Sequence, residues 1–548
     1  MSTTDPSWSD RAGAVFERWA AHPAAGWGVI AFALALRLVG LDKGYWLDEA
    51  FTLDISLRDT FAPVLARLRG VDHPPLFFLL LHFVSRLGRS EPFLRLLPVA
   101  SSVALVAVVV RWAGRFSRLA GVLAGMLTAT LPFFLRISHE LRPYGLLALA
   151  VAAAFAAAER IRSAPDARLP YLALGTTLAL ATFTHHVGVF LLAPIAVLLF
   201  APGSDPRSIR PAPVVAALGA PLAAAAAAGI FGDAVAKTSQ FWWMPRPDPA
   251  LVASALRSFV SPASQSWERL ANQAPVDLAL AASAITLALL ALGAGARSAA
   301  ARTAAAATLY LAVLIAFSWL AIPVFWNRTA TPALPLLAVA VATGAAGARS
   351  ARVRIALVLG LAAVCLGFAI RWLTAESSRP LEPWRAASER ILAVDNTEDI
   401  VIFYPNYAAP PVRRYLAAGR ERKIVQVPFG GTQAAERCGR MLARRRGRGP
   451  ATVWLVMRLD SPPRPELRTG PALFAAVARE RGRRPVRALL VSPLDASMNP
   501  GPSDQRRVVA EELRAAFGSA AETLDHGPWI ELHFPPPRDP APSAKLPR

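Results

Sequence analysis

Lysine is scarce in this chain. Of 59 lysines and arginines only Lys43, Lys237, Lys423 and Lys545 are lysine, so a net charge of +22 is carried almost wholly by arginine. A balance this basic raises nucleic acid as a partner, but its distribution excludes one. Many arginines fall in short loops between apolar runs and most of the others in the C-terminal third, and the abundance of Ala, Arg and Pro matches the coding bias of a high-GC bacterium. Cysteine is scarcer still. Cys365 lies in an apolar segment and Cys438 in a polar region, which excludes a disulfide framework and a cysteine-based metal site. No G-x-G-x-x-G or Walker pattern stands at a strand–helix junction, so no nucleotide is assigned. No internal repeat is visible.

What the chain has is apolar length. Hydrophobic residues make up 54% of it and mean hydropathy is +0.38, in the range of multi-span helical membrane proteins. Met1 to Ala25 is polar, and the apolar run after it lacks a small-x-small cleavage site, so it reads as an uncleaved first span rather than a signal peptide. The expected spans are Gly26–Leu41, Phe93–Ala113, Leu119–Leu135, Tyr144–Arg160, Pro170–Thr184, Val187–Ala201, Ala212–Ile230, Val276–Gly295, Thr303–Ile322, Thr331–Ala346 and Ile355–Trp372. Pro74–Leu87 is apolar too, but it is short, is closed by Arg86 and Arg89, and suits an interfacial juxtamembrane helix.

Charge asymmetry tests that choice. With Pro74–Leu87 kept out of the bilayer, Arg11/Arg18, Arg111/Arg115/Arg118, Arg160/Arg162/Arg168, Arg207/Arg210, Arg297/Arg302 and Arg349/Arg352/Arg354 share one side, as cytoplasmic loops should. The residues with chemical variety share the other. The expectation is a polytopic α-helical membrane protein of eleven spans in a cell inner or plasma membrane, N-terminus cytoplasmic and C-terminal domain extracytoplasmic. Its parts would be a cytoplasmic segment 1–25, a transmembrane domain 26–374 with a first outer loop 42–92, an outer domain 375–534 and a disordered Pro-rich tail 535–548. In the outer domain, helical stretches (Glu382–Ala393, Ala408–Ala418, Thr432–Arg446, Pro471–Arg481, Asp504–Phe517) alternate with apolar strands (Asp399–Tyr404, Lys423–Pro428, Ala451–Met457, Val486–Ser492, Trp529–Phe534). That order predicts a small α/β domain with a mostly parallel sheet.

The chain is organised around Gly44-Tyr45-Trp46-Leu47-Asp48-Glu49-Ala50-Phe51-Thr52, where two carboxylates stand in an aromatic frame just past the first span. Ionisable groups that close to lipid are costly unless they act there; the bland alternative is a solvated pair in a helix's first turn. Four further clusters fall on the same side: Asp72-His73-Pro74-Pro75, Ser138 to Tyr144, His185-His186 and Trp326-Asn327-Arg328. Arginines, acids and aromatics at one water–lipid boundary suit an anionic, lipid-borne substrate, since guanidinium binds phosphate in planar, bidentate geometry. Arg142 and Arg328 also suit snorkelling at helix ends, His73 a cap, and Phe241-Trp242-Trp243-Met244 an interfacial belt. Adjacent histidines alone make no metal site. No metal ligand or cofactor is assigned; a divalent cation is compatible with the residues and not required by them.

The order of these stretches resembles the glycosyltransferase-C superfamily, and within it bacterial relatives of protein O-mannosyltransferases and of the lipid A aminoarabinose transferase. Tyr45-Trp46-Leu47-Asp48-Glu49-Ala50 is similar to their first-outer-loop Asp-Glu motif, and Asp72-His73-Pro74-Pro75-Leu76-Phe77-Phe78-Leu79-Leu80-Leu81-His82 to their His-Pro-Pro-Leu juxtamembrane helix. Glu91-Pro92-Phe93-Leu94-Arg95-Leu96-Leu97-Pro98 looks like their entry to the second span, and His139-Glu140-Leu141-Arg142-Pro143-Tyr144 like their Arg-x-Tyr motif. Arg328 sits where the family has Arg-Tyr, with Thr329 in place of the tyrosine, and Pro383-Trp384-Arg385-Ala386-Ala387 matches the start of the outer domain.

The resemblance implies inverting transfer of a sugar from a polyprenyl-phosphate donor to an acceptor hydroxyl on a lipid, a protein or a cell-wall glycan. Asp48 would be the general base and Glu49 would orient it or contact the acceptor; Arg142 and Arg328 would bind the donor phosphate. His73, Tyr144, Asp72 and His139 would be further substrate contacts. The competing class is a transporter or flippase of a lipid-linked precursor, which should show polar or broken helices at the midplane and often repeats. Here the spans after the first are mostly plain Ala/Leu/Val. Arg37 is the intramembrane exception, read as reaching toward the outer end. A membrane-anchored binding module would leave the spans and the Asp-Glu stretch unexplained.

Overall fold

The structure, a computed structural model, describes residues 8–68, 73–200, 209–230, 244–261, 275–294, 299–377, 382–393, 399–416, 423–427, 432–443, 452–459, 470–491, 502–526 and 529–537. Asp72, the aromatic run 241–243 and the tail beyond 537 lie outside them. The chain divides into two compact units, one of Met1–Asp42 with Ile55–Arg379 and one of Lys43–Asp54 with Pro380–Arg548.

In the first unit every apolar run expected as a span carries a helix. Among the described residues five are long and apolar enough to cross a membrane: Glu91–Ala113, Tyr144–Ser163, Val276–Ala294, Ala299–Leu320 and Ala351–Ala375. A sixth is the pair Ala14–Ala21 and Pro23–Leu38, bent by 72° at the intervening break. The protein is thus membrane-embedded, but the other expected spans are shorter than a bilayer requires of a straight helix. Two of them are interrupted. Leu119–Leu135 divides into Arg118–Thr130 and Pro132–Ile137, and Val187–Ala201 opens as a 3-10 turn, His186–Leu191, before Leu192–Phe200. Leu76–Ser85 is a ten-residue helix, the juxtamembrane element the sequence predicts. Glycine lets some spans touch backbone to backbone: a Cβ on Gly344 would collide with the Ala291 carbonyl oxygen.

The interruption at Pro132 explains Arg37. Proline has no N–H, so the Thr128 carbonyl four residues earlier has no helical donor. In a low-dielectric interior an unpaired carbonyl is costly. Arg37 supplies the donors: Nη2 to Thr128 O at 3.0 Å, and Nη1 to Ala129 O at 3.0 Å and to Ala33 O at 3.1 Å, while Nε donates to Ser102 Oγ at 2.8 Å. Arg37 is wholly buried among these groups rather than reaching outward. It ties three helices together at a proline break.

Among the described residues the second unit has six strands: β1 Ile400–Tyr404, β2 Lys423–Gln426, β3 Val453–Arg458, β4 Val486–Val491, β5 Glu522–Asp525 and β6 Trp529–Phe534. They pair in the order β2-β1-β3-β4-β6-β5, parallel through β4 and antiparallel from β6 outward. Side chains alternate across the sheet. Ile400, Ile402, Leu455 and Leu490 enter one core, beneath helices Thr432–Ala443, Gly470–Glu480 and Pro502–Phe517, while Val401, Phe403, Trp454 and Leu489 enter the other, beneath Trp384–Ala393 and Ala409–Leu416. β5 was not expected. It is an exposed edge with no apolar alternation to announce it.

Glu531 on β6 is fully buried between Arg390, Arg487 and His533, at 2.7, 3.0 and 2.6 Å. Burial pushes its carboxyl up, but the hydrogen bonds and charges of Arg390 and His533 outweigh that and hold it below the ordinary carboxylate value. A carboxylate held low stabilises the fold above its unfolded value, and that contribution disappears as pH falls through the folded one. The thermal midpoint of the protein should therefore fall below pH 4.5, and Glu531→Gln should be less stable at neutral pH with a shallower acid limb; parallel curves would refute this. Arg37→Met should destabilise by about 3 kcal/mol, the cost of two or more orphaned buried acceptors, read as thermal unfolding in detergent. An unchanged midpoint would remove Arg37's structural role.

Candidate functional site

The Asp-Glu stretch is built in the second unit. Gly44 has φ +84°, a backbone conformation that admits glycine readily, and its Cα stands against Arg385 and Tyr415. The chain then enters the helix Leu47–Ser56, with Ala50 N donating to Trp46 O at 3.0 Å as its first helical bond. A helix start leaves backbone N–H groups without helical partners, and here side chains take them. Glu49 turns back to accept from Trp46 N at 3.2 Å, as the third-residue acid of a capping box does. Leu47 N donates to Glu382 Oε2 at 2.8 Å and Tyr45 N to the Tyr415 hydroxyl at 2.8 Å. Glu49 is 1% exposed. Asp48 is half-buried, at the position where the helix's aligned amides favour negative charge. The two adjacent acids thus differ in setting: one caps the helix inside the fold, the other is presented from its first turn.

Glu382 was not singled out by its sequence. Its carboxylate, 3% exposed, accepts from four donors: Leu47 N, Trp384 Nε1 at 2.5 Å, and Arg458 Nε and Nη2 at 3.0 and 2.7 Å. Tyr45 stacks on Tyr415 with ring centroids 6.2 Å apart, Arg414 lies over the Tyr45 ring at 5.3 Å and Arg385 over Tyr415 at 5.8 Å.

In the first unit the structure brings together Arg142, His73 and Tyr144. Arg142 Nη2 donates to His73 Nε2 at 2.7 Å, and the guanidinium lies 5.9 Å from the centre of the Tyr144 ring. Because arginine only donates, this bond requires Nε2 of His73 to be unprotonated. His185 joins the group, its ring 5.6 Å from His73 and 5.7 Å from Tyr144. The pair His185-His186 therefore contributes one aromatic wall. Among the described residues no group of three or more His, Cys, Asp or Glu could hold a metal ion.

Arg328 reaches a different residue of the same stretch. Its Nε lies 3.6 Å from Glu140 Oε2, and Arg136 Nε lies 3.1 Å from Glu140 Oε1, so one buried acid joins two guanidinia and leaves the triad one positive charge. The Arg142 amide donates to the Glu140 carbonyl at 2.7 Å, tying both arginine positions to one turn. Beside Arg328, the Asn327 amide is 2% exposed, and neither its oxygen nor its nitrogen has a hydrogen-bond partner among the described residues. His139 faces elsewhere: its Nε2 donates to the Arg37 carbonyl at 2.8 Å and its ring packs on Trp372 at 4.9 Å.

The comparisons with known proteins agree with this architecture. Residues 72–229 match the family model described as dolichyl-phosphate-mannose-protein mannosyltransferase. No curated protein matches the sequence significantly. Among solved structures, apo ArnT from Cupriavidus metallidurans superposes with a TM-score of 0.53 at 14% identity, covering 94% of this chain and 98% of that one. ArnT from the same organism bound to undecaprenyl phosphate gives 0.49 at 15% identity, covering 96% and 100%. The archaeal oligosaccharyltransferase AglB from Archaeoglobus fulgidus, in complex with an inhibitory peptide and a dolichol-phosphate, gives 0.46 at 13% identity, covering 93% and 74%.

Glu140→Gln should destabilise the first unit by about 3–5 kcal/mol, because it removes the buried negative charge that two guanidinia share. Adding Arg328→Met should restore part of that loss in detergent melting curves; additive losses would mean that the two residues do not interact. The apo ArnT superposition and the match over residues 72–229 bear out the resemblance read from the motifs: the chain has the glycosyltransferase-C fold.

Proposed function

We propose that the protein is a membrane glycosyltransferase that moves a sugar from a polyprenyl-phosphate-linked donor to an acceptor hydroxyl on the extracytoplasmic face, with inversion. The observation that carries this reading is the difference in setting between the two acids: Glu49 caps the helix start from within the fold, while Asp48 lies half-buried in the first turn, where the aligned amides favour a carboxylate. The family description of the match over 72–229 supports a lipid-phosphate donor.

In the proposed reaction Asp48 takes the proton of the acceptor hydroxyl as its oxygen attacks the anomeric carbon from the face opposite the phosphate. The carbon–oxygen bond to the phosphate breaks, its electron pair stays on the phosphate oxygen, and the lipid phosphate leaves with one more negative charge. Arg142, oriented by His73 and Tyr144, and Arg328, held by Glu140, meet that charge. Asn327 is a further donor contact, because a buried amide with both atoms unpaired is costly until a ligand satisfies it. Asp72 remains a further contact of the same reading, while His139, turned to the Arg37 carbonyl and Trp372, is withdrawn from the substrate contacts. The arginine-rich short loops favour a cytoplasmic N-terminus, eleven crossings made partly by broken or tilted helices, and an outer C-terminal domain. The acceptor is a lipid, a protein or a cell-wall glycan.

The test is transfer of radiolabelled sugar from polyprenyl-phosphate donors in membranes carrying wild type or Asp48→Asn at equal abundance. The variant should lose about 10²–10⁴-fold in rate, the usual contribution of a positioned general base, with polyprenyl phosphate released only by wild type. Full activity of Asp48→Asn would sink the catalytic assignment. Movement of lipid-linked sugar across the bilayer without donor consumption would replace the enzyme by a flippase.

A further inference from the structure

We propose that the C-terminal α/β domain serves as the template that fixes the Asp48-bearing helix start, and that Glu382 is its positioning residue. The inference rests on the glycosyltransferase reading for its consequence and on geometry for its substance.

Lys43–Asp54 belongs to the same compact unit as Pro380–Arg548, although about 330 residues separate them in the chain. A short segment of this kind carries too little apolar surface to hold one conformation by itself. Its position comes from a chain of rigid parts. β3 is buried on both faces and pairs with β1 and β4, so its last residue, Arg458, has its backbone set by the sheet. Two nitrogens of Arg458 converge on one oxygen of Glu382 in charge-assisted hydrogen bonds, which hold that oxygen at the end of the strand. Trp384, fully buried in the core on that face, donates to the other oxygen. That same oxygen receives Leu47 N, the residue directly before Asp48. The four donors on Glu382 therefore run from the centre of the sheet to the backbone next to the proposed base.

A second hold acts two residues earlier, where the Tyr415 hydroxyl accepts from Tyr45 N and the stacked rings, flanked by Arg414 and Arg385, set the direction of approach. Buried ion pairs are weak arguments for stability as such. The inference concerns geometry: a purely stabilising pair would not need to spend an acceptor on a backbone amide at a helix start.

The experiment compares wild type, Glu382→Gln and Tyr415→Phe as full-length protein in lipid nanodiscs, by hydrogen–deuterium exchange and by steady-state sugar transfer. In Glu382→Gln the amides of residues 45–54 should exchange faster by about tenfold or more, while β1 and β3 keep their protection. Its kcat should fall by on the order of 10²-fold with little change in the donor KM, because misplacing a reacting group slows the chemical step more than it weakens binding. Tyr415→Phe should move both readouts the same way by less, and it carries the test if Glu382→Gln does not fold. Unchanged exchange at 45–54 in both variants overturns the inference whatever the activity. Faster exchange with an undiminished kcat overturns it as well. Because exchange requires no turnover, a wild type that transfers no sugar defeats the functional reading separately, and the template is then upheld or overturned by exchange alone.

Discussion

Four donors converge on the buried carboxylate of Glu382, and the arrangement of the Asp48-Glu49 stretch depends on that convergence. A carboxylate removed from water must have its lone pairs satisfied, and two of the four donors come from a single guanidinium anchored at the end of a central strand. The remaining two are an indole and the amide of Leu47. Satisfying one buried charge thus joins the sheet, the first helix of the C-terminal domain and a segment drawn from near the chain's start. Glu49 completes the arrangement from inside that segment by capping its own helix. The chemical consequence is an asymmetry between neighbouring acids that their adjacency in sequence does not show.

Buried charge is handled differently in the membrane-embedded unit. Among the described residues, Arg37 has no acid as a hydrogen-bond acceptor; it donates to the Thr128 carbonyl that Pro132 leaves without a donor, to the Ala129 and Ala33 carbonyls and to one serine hydroxyl. Glu140 joins two arginines and leaves a net positive charge. Asp277, wholly buried, takes Arg371 in a bidentate pair at 2.6 and 2.8 Å, linking the start of one long helix to the end of another. Each arrangement reflects the same constraint, that polar groups away from water must find partners within the protein. The triad at Glu140 and the Arg142–His73 pair together gather guanidinium groups around one turn of the chain.

Much of the fold could be read from the chain. Apolar runs located the helices of the first unit, and alternation of apolar strands with amphipathic helices located the sheet to within a few residues. Charge asymmetry put Arg142, His73 and Tyr144 on one expected side, and the family resemblance made all three substrate contacts. Less legible were helix lengths, because a proline or a 3-10 turn splits an apolar run without changing its composition, and β5, whose exposed edge carries no pattern. Glu382 was invisible for a related reason. A lone acid before Pro-Trp looks like a solvated residue until the strand bearing Arg458 is folded beside it.

The sequence by itself determined the class of the protein, the alternating two-sided sheet and the list of residues able to do chemistry, because these depend on local periodicity and on the identity of side chains. Only the tertiary structure decided which of two adjacent acids caps the helix, which arginine meets which partner, and that the segment after the first apolar helix packs as part of a domain some 330 residues later. Those outcomes depend on donors and acceptors far apart in the chain, and hydrogen bonds between such groups leave no periodic trace in the sequence.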